Sequence, residues 1–309
     1  MLMARAVGVA VAVLWLLPVT ARADASKAWA AAKASLPSTT SVVVGMDVTS
    51  LTKTSLFKMG FPLLLSQQPD LKAGLELIKT TCQIDVVAAV DGMVAGTDKE
   101  QKQGALFLAV KGIDEAKIVT CVEAIAASKT GKGAKVVVTR DGAITELVIG
   151  NEKMYLTWFG KDVLAFAIAP EDKAQLQAWT GGKKALARAP VGPWLAKVDT
   201  KAAVWAVSAV EREIEGVKMK SGYGGLGLAK GTLSIDLHLV LPSAADAKAV
   251  ADKAAAELAV KANGPNLAPA LKPVLQSVTV KSAGAEVVVK AAVLESNLLS
   301  IAAALMTGS

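Results

Sequence analysis

The sequence predicts an α+β protein built from two copies of a mainly antiparallel sheet, with helices packed on one face, behind a cleaved export signal. Three observations carry that expectation. Short β-branched runs punctuated by glycine turns alternate with Ala-rich stretches of helical periodicity. The pattern runs to about residue 199 and starts again at 200. Leu106-Phe107-Leu108-Ala109-Val110 and Ala116-Lys117 fall opposite Leu237-His238-Leu239-Val240-Leu241 and Ala247-Lys248 at one common offset. The third is the N-terminus: Arg5, then apolar Ala6 to Val19, then Ala21-Arg22-Ala23 in the small-x-small pattern that a signal peptidase cuts. Ala23-Asp24-Ala25 offers a second cut.

The expected domains are a signal at 1–23, a helical linker at 24–37, a first copy with its junction at 38–199 and a second copy at 200–309. Within the first copy, Ser41 to Val48 reads as a strand, and Thr49 or Ser50 can cap the helical segment 51–82, interrupted at Gly60 to Pro62. Asp85 to Ala95 and Gly104 to Lys111 read as a hairpin around a charged tip. A helix starts at Gly112 to Glu115 and stops at Ser128 to Gly133. Asp141-Gly142 joins strands 135–140 and 143–149, because Asp-Gly supplies the positive φ of a tight turn. Gly160-Lys161 joins strands 153–159 and 162–168, and Pro170-Glu171-Asp172 opens a helix. In the second copy, Ala202 to Val210 is a strand, Gly222 to Leu241 a hairpin and Ser243 to Ala262 a helix. Val274 to Lys281 then pairs with Ala285 to Val293 before a terminal helix.

Composition narrows the function. The 309 residues carry a formal charge of +7, reduced to +5 once the signal takes Arg5 and Arg22 with it. The lysines are dispersed among acids, without the basic stripe and interleaved aromatics of a nucleic-acid face. Apolar residues make up 53% of the chain and aromatics only 4%, so the core is built from small aliphatic side chains. The apolar stretch of the signal is shorter than the ~20 residues a membrane span needs, and Val287 to Met306 is broken by Lys290, Glu295, Ser296 and Asn297. No span is expected in the mature chain.

Cys82 and Cys121 are the only cysteines, and an even count in an oxidising compartment favours a disulfide over two buried thiols. His238 is the one histidine. Strand alternation puts Ser234, Asp236 and His238 on one face, which invites a hydrolase reading. Residues in register along a flat strand do not form a nucleophile elbow, so a solvated polar face is the favoured alternative. Gly222-Tyr223-Gly224-Gly225-Leu226-Gly227 satisfies the dinucleotide spacing but is followed by a strand where a phosphate-binding turn needs a helix. Thr130-Gly131-Lys132-Gly133 lacks the remaining P-loop residues. Trp158, Trp179, Trp194 and Trp205 cluster at the junction, as core anchors or as the lining of a ligand site. No cofactor and no metal site is expected, and no catalytic residue is assigned.

Val42-Val43-Val44-Gly45-Met46-Asp47, Cys82-Gln83-Ile84-Asp85, Lys111-Gly112-Ile113-Asp114 and Cys121-Val122-Glu123 resemble an uncharacterised family of exported, duplicated α+β proteins of myxobacteria-type bacteria. The resemblance covers residues 38 to 306 and implies export, duplication and paired cysteines. It brings no catalytic residues. The expectation is a periplasmic or secreted non-enzymatic protein that binds or scaffolds an envelope component. The alternatives are a carrier of lipid or another apolar ligand, and a hydrolase centred on His238.

Overall fold

The computed structural model describes residues 25–297, apart from 131–135, 150–151, 169–171, 215, 230, 265–266 and 268–270. The expected export signal and residues 298–309 of the expected terminal helix therefore lie outside the described residues. The α+β class holds, and its centre is one antiparallel sheet of 12 strands where two separate sheets were expected. The first strand of each half explains this: β1 (Val42–Asp47) and β8 (Val204–Ser208) pair antiparallel along Val42↔Ser208 to Met46↔Val204, fusing the halves edge to edge.

Outward from β8 the order is β11 (Ser221–Ala229), β12 (Thr232–Val240), β14 (Glu286–Leu294) and β13 (Thr279–Ala283). Outward from β1 it is β2 (Val90–Thr97), β3 (Gly104–Val110), β7 (Val163–Ala167) and β6 (Glu152–Phe159), extended by β5 (Ile144–Ile149) and β4 (Val137–Asp141). Counted from the centre, the two halves thus share their strand order, with β4 and β5 additional in the first. A separate small hairpin, β9 (Arg212–Ile214) with β10 (Val217–Met219), was not foreseen.

Because paired residues share a face, the registers trace each side of the sheet. The row Leu164, Leu108, Met93, Met46, Val204, Leu226, Ile235, Ala291 marks one face. The long helix of each half lies there, as expected. Val122 of Glu115–Thr130 packs with Leu147, Leu156 and Leu164, while Ala247 and Ala251 of Ala244–Ala262 pack with Leu241 and Val287. The opposite row runs Ala165, Phe107, Val94, Gly45, Trp205, Gly225, Asp236, Lys290. Its first-half end is covered by helix Ala25–Ser35, which was expected as a short helix or linker outside the folded body. Ala28, Ala32 and Leu36 are fully buried against it, and Trp29 meets Trp205 edge-on at 4.9 Å. Leu176 and Trp179 of helix Lys173–Thr180 and the junction residues Leu186 and Val191 complete that cover.

Several boundaries moved for identifiable reasons. Asp47, rather than Thr49 or Ser50, caps helix Val48–Thr52 by accepting from Ser50 N at 2.9 Å. The helical segment 51–82 breaks where capping favours it, before Ser55–Gln67 (capped by Thr54) and before Pro69–Cys82, which starts with proline. Pro62 stays inside its helix. Asp85 caps a single turn, Val86–Ala89, so the following strand starts at Val90. Pro273 opens helix Lys272–Ser277, where a strand from Val274 was expected. The Asp141-Gly142 hairpin and the Ser243 cap of the long second helix form as the residues dictate. Cys82 and Cys121 are joined, tying Pro69–Cys82 to Glu115–Thr130 with a Cα separation of 4.7 Å.

Candidate functional site

On the face traced by Gly225 and Asp236, the junction and the sheet enclose a pocket of about 380 Å3. One wall is Lys197 to Ala203 of the junction, the other is Ser234, Asp236 and His238 of β12, and the floor is the glycine-rich strand β11. The glycines are explained by space. A Cβ on Gly227 would stand 2.8 Å from Ser234 Oγ, and one on Gly225 would stand 3.0 Å from the Ala202 Cβ, so any side chain would fill the pocket or push its wall. The formal dinucleotide pattern is therefore the floor of a β-sheet pocket. It opens no helix.

The site is held by a hydrogen-bonded cluster beside this floor. Tyr223, the one aromatic side chain among the glycines, pairs with His238 across the strands, and the two rings stack at 4.5 Å with planes 8° apart. Trp194 also stacks with Tyr223, at 5.9 Å. Glu286 of β14, brought in by the pairing of β12 with β14, accepts from Lys197 Nζ at 2.7 Å and from Tyr223 Oη at 2.8 Å. His238 Nδ1 lies 2.9 Å from the same carboxylate, and Nε2 lies 3.1 Å from Asp236, which also receives Lys290 at 3.0 Å. Burial pushes the Glu286 carboxyl up, but hydrogen bonds from Lys197, Tyr223 and His238 outweigh it and hold the group below its ordinary range. Burial, and then the hydrogen bond to Glu286 and its charge, push the Tyr223 phenol well above its ordinary range.

The face of His238 was expected to be solvated; its side chain is only 21% exposed, because the rings and the two carboxylates enclose it. Ser234 shares that face but does not complete a triad: its hydroxyl donates to Gly227 O at 3.1 Å, and both imidazole nitrogens face acids. Tyr223, Glu286 and Lys197 escaped the sequence reading. Tyr223 was hidden in the glycine motif, and Glu286 and Lys197 reach the site only through long-range pairing. Of the tryptophans, Trp179 and Trp205 are core anchors at 3% and 1% exposure, whereas Trp194 backs the site.

A second, more apolar groove of about 760 Å3 lies beside the disulfide, where Ile84, Ala88, Ala89, Ile113 and Ala116 line it together with Cys82 and Cys121. Among the described residues, no helix is long and apolar enough to cross a membrane, and no cluster of three or more His, Cys, Asp or Glu side chains could hold a metal ion.

No protein-family model and no curated protein matches the chain. Solved structures do. Crystal form I of TP0453 aligns over 89% of this chain and 97% of its own at 10% identity, with a TM-score of 0.47. Crystal form III aligns over 87% and 96% at 10% identity, with a TM-score of 0.43.

Proposed function

We propose that this is an exported, envelope-associated binding protein without catalytic chemistry of its own, and that its ligand site is the pocket on β11. The observation that carries this reading is the preordered wall: Lys197, Tyr223, His238 and Asp236 are fixed by one another and by Glu286 and Lys290. A wall ordered in advance spares a ligand the cost of ordering it. The lining of ammonium, carboxylate, hydroxyl and imidazole groups suits a small hydrophilic ligand. The shared strand order supports reading 38–199 and 200–309 as two copies on one sheet, with the site in the second. Export is read from residues 1–23, and N-terminal sequencing of exported protein should begin at Asp24 or Ser26.

A second reading, a carrier of lipid or another apolar ligand, is favoured by the groove beside the disulfide. It also draws on helices Ser55–Gln67 and Pro69–Cys82, in which no side chain is fully buried. Native mass spectrometry of protein purified from its own periplasm separates the readings. A retained hydrophilic molecule, lost in Gly227→Val, supports the pocket; a retained lipid supports the carrier. A hydrolytic activity abolished in folded His238→Ala would overturn both.

A further inference from the structure

The His238 cluster carries one more inference, which rests on reading the pocket as a ligand site. A neutral imidazole has one N–H and one lone pair, whereas the imidazolium donates from both nitrogens. With Nδ1 hydrogen-bonded to Glu286 at 2.9 Å and Nε2 within ion-pair distance of Asp236 at 3.1 Å, both contacts are favourable only in the charged ring. In the neutral ring, one nitrogen turns its lone pair toward an anion. The two carboxylates differ in how firmly they are held. Glu286 is 18% exposed and also receives Lys197 and Tyr223, while Asp236 is 51% exposed and its other partner, Lys290, is 59% exposed.

We propose that His238 is a proton-operated gate in the pocket wall. As imidazolium it holds Asp236 in place as a carboxylate lining the pocket. As neutral imidazole it keeps its bond to Glu286, releases Asp236 toward solvent with Lys290, and leaves Nε2 facing the pocket as an acceptor. A ligand that donates hydrogen bonds to Asp236 is therefore bound on the acid side and released as pH rises. The charged groups around the ring are Asp236 on its own strand, Glu286 and Lys290 on β14, Tyr223 on β11 and Lys197 on the junction, with Asp199 and Lys201 further along the same pocket. Ordinary carboxyls, phenols and lysines titrate outside pH 5 to 8, the window in which an imidazole changes charge.

The chain has a single histidine, so its imidazole C–H signals in NMR report His238 alone. In the unliganded mature protein, taken from pH 5 to 8, the amides of Asp236 and Gly225 to Gly227 should shift with the same midpoint as the imidazole. The shifts should vanish in His238→Gln. Should that variant fail to fold, Asp236→Asn, at an exposed position, should cut the amide response at Gly225 to Gly227 by more than half. Three results would overturn the gate: an imidazole that titrates while the pocket amides stay still, no titration in this window, or a full amide response in either variant. The titration needs no ligand, so its failure is distinct from a failure to find a bound molecule by native mass spectrometry.

Discussion

Glu286 joins three strands and the junction through one carboxylate, since Lys197, Tyr223 and His238 all converge on it. Replacing it by glutamine keeps the shape but removes the charge. We expect Glu286→Gln to cost about 1–3 kcal/mol in urea denaturation, the usual range for hydrogen bonds to a charged group. The same contacts predict an acid limit. The folded carboxyl is held below its ordinary value, so its contribution is complete above the unfolded value of about 4.3 and is lost as pH falls through the lowered folded value. Stability of the native protein should therefore drop below about pH 4 more steeply than that of Glu286→Gln. His238→Ala should cost about 1–2 kcal/mol at pH 6, since it removes a stacked ring and leaves Glu286 short of a partner. A solvated histidine, as the sequence suggested, would stay within about 0.5 kcal/mol.

Among the elements, the pairing of β1 with β8 is closely constrained. A Cβ on Gly45 would lie 2.2 Å from the ring of Trp205, which is 1% exposed and packed edge-on against Trp29. Gly45→Ala should cost at least about 1–3 kcal/mol, the range for an overpacked core, and should alter tryptophan fluorescence in the native state. The disulfide acts on a different part. It closes a separation of 39 residues and ties helix Pro69–Cys82, which contributes no buried side chain, to Glu115–Thr130, so Cys82→Ser should cost about 4 kcal/mol on the chain-entropy model. Hydrogen exchange should locate the loosening in 55–82. Both features show what was legible in the sequence. The cysteine pair, the Asp141-Gly142 turn and the helix from Ser243 rest on short-range signals or on residues unique in the chain, so the residues alone announced them. Alternation along β12 likewise placed Asp236 and His238 together. Nothing local announced that β14, some 48 residues on, would bring Glu286 beside His238, or that helix Ala25–Ser35 would be core. Such facts depend on which strands become neighbours.

The whole molecule poses the question of whether two halves of shared strand order behave as two domains. The main core argues against it. Val43, Val94, Phe107 and Ala165 of the first half share one buried cluster with Trp205, Val207, Tyr223 and Val240 of the second, bridged by Ala28 and Leu36 of the N-terminal helix and by Leu186 and Val191 of the junction. Neither half could unfold without exposing the edge of β1 or β8 and half of that cluster. We therefore expect a single cooperative transition in urea, with far-UV circular dichroism and tryptophan fluorescence giving coincident curves. The tryptophans make this test sensitive, because Trp179 and Trp205 report the shared core from the junction and from β8. Helices Ser55–Gln67 and Pro69–Cys82 should exchange amide protons faster than the sheet, since local opening there exposes little that was buried. Two resolved transitions, with the amides of β11, β12 and β14 melting apart from those of β2, β3 and β7, would instead mean that the shared cluster is too weak to couple the halves, and that each half carries its own stability.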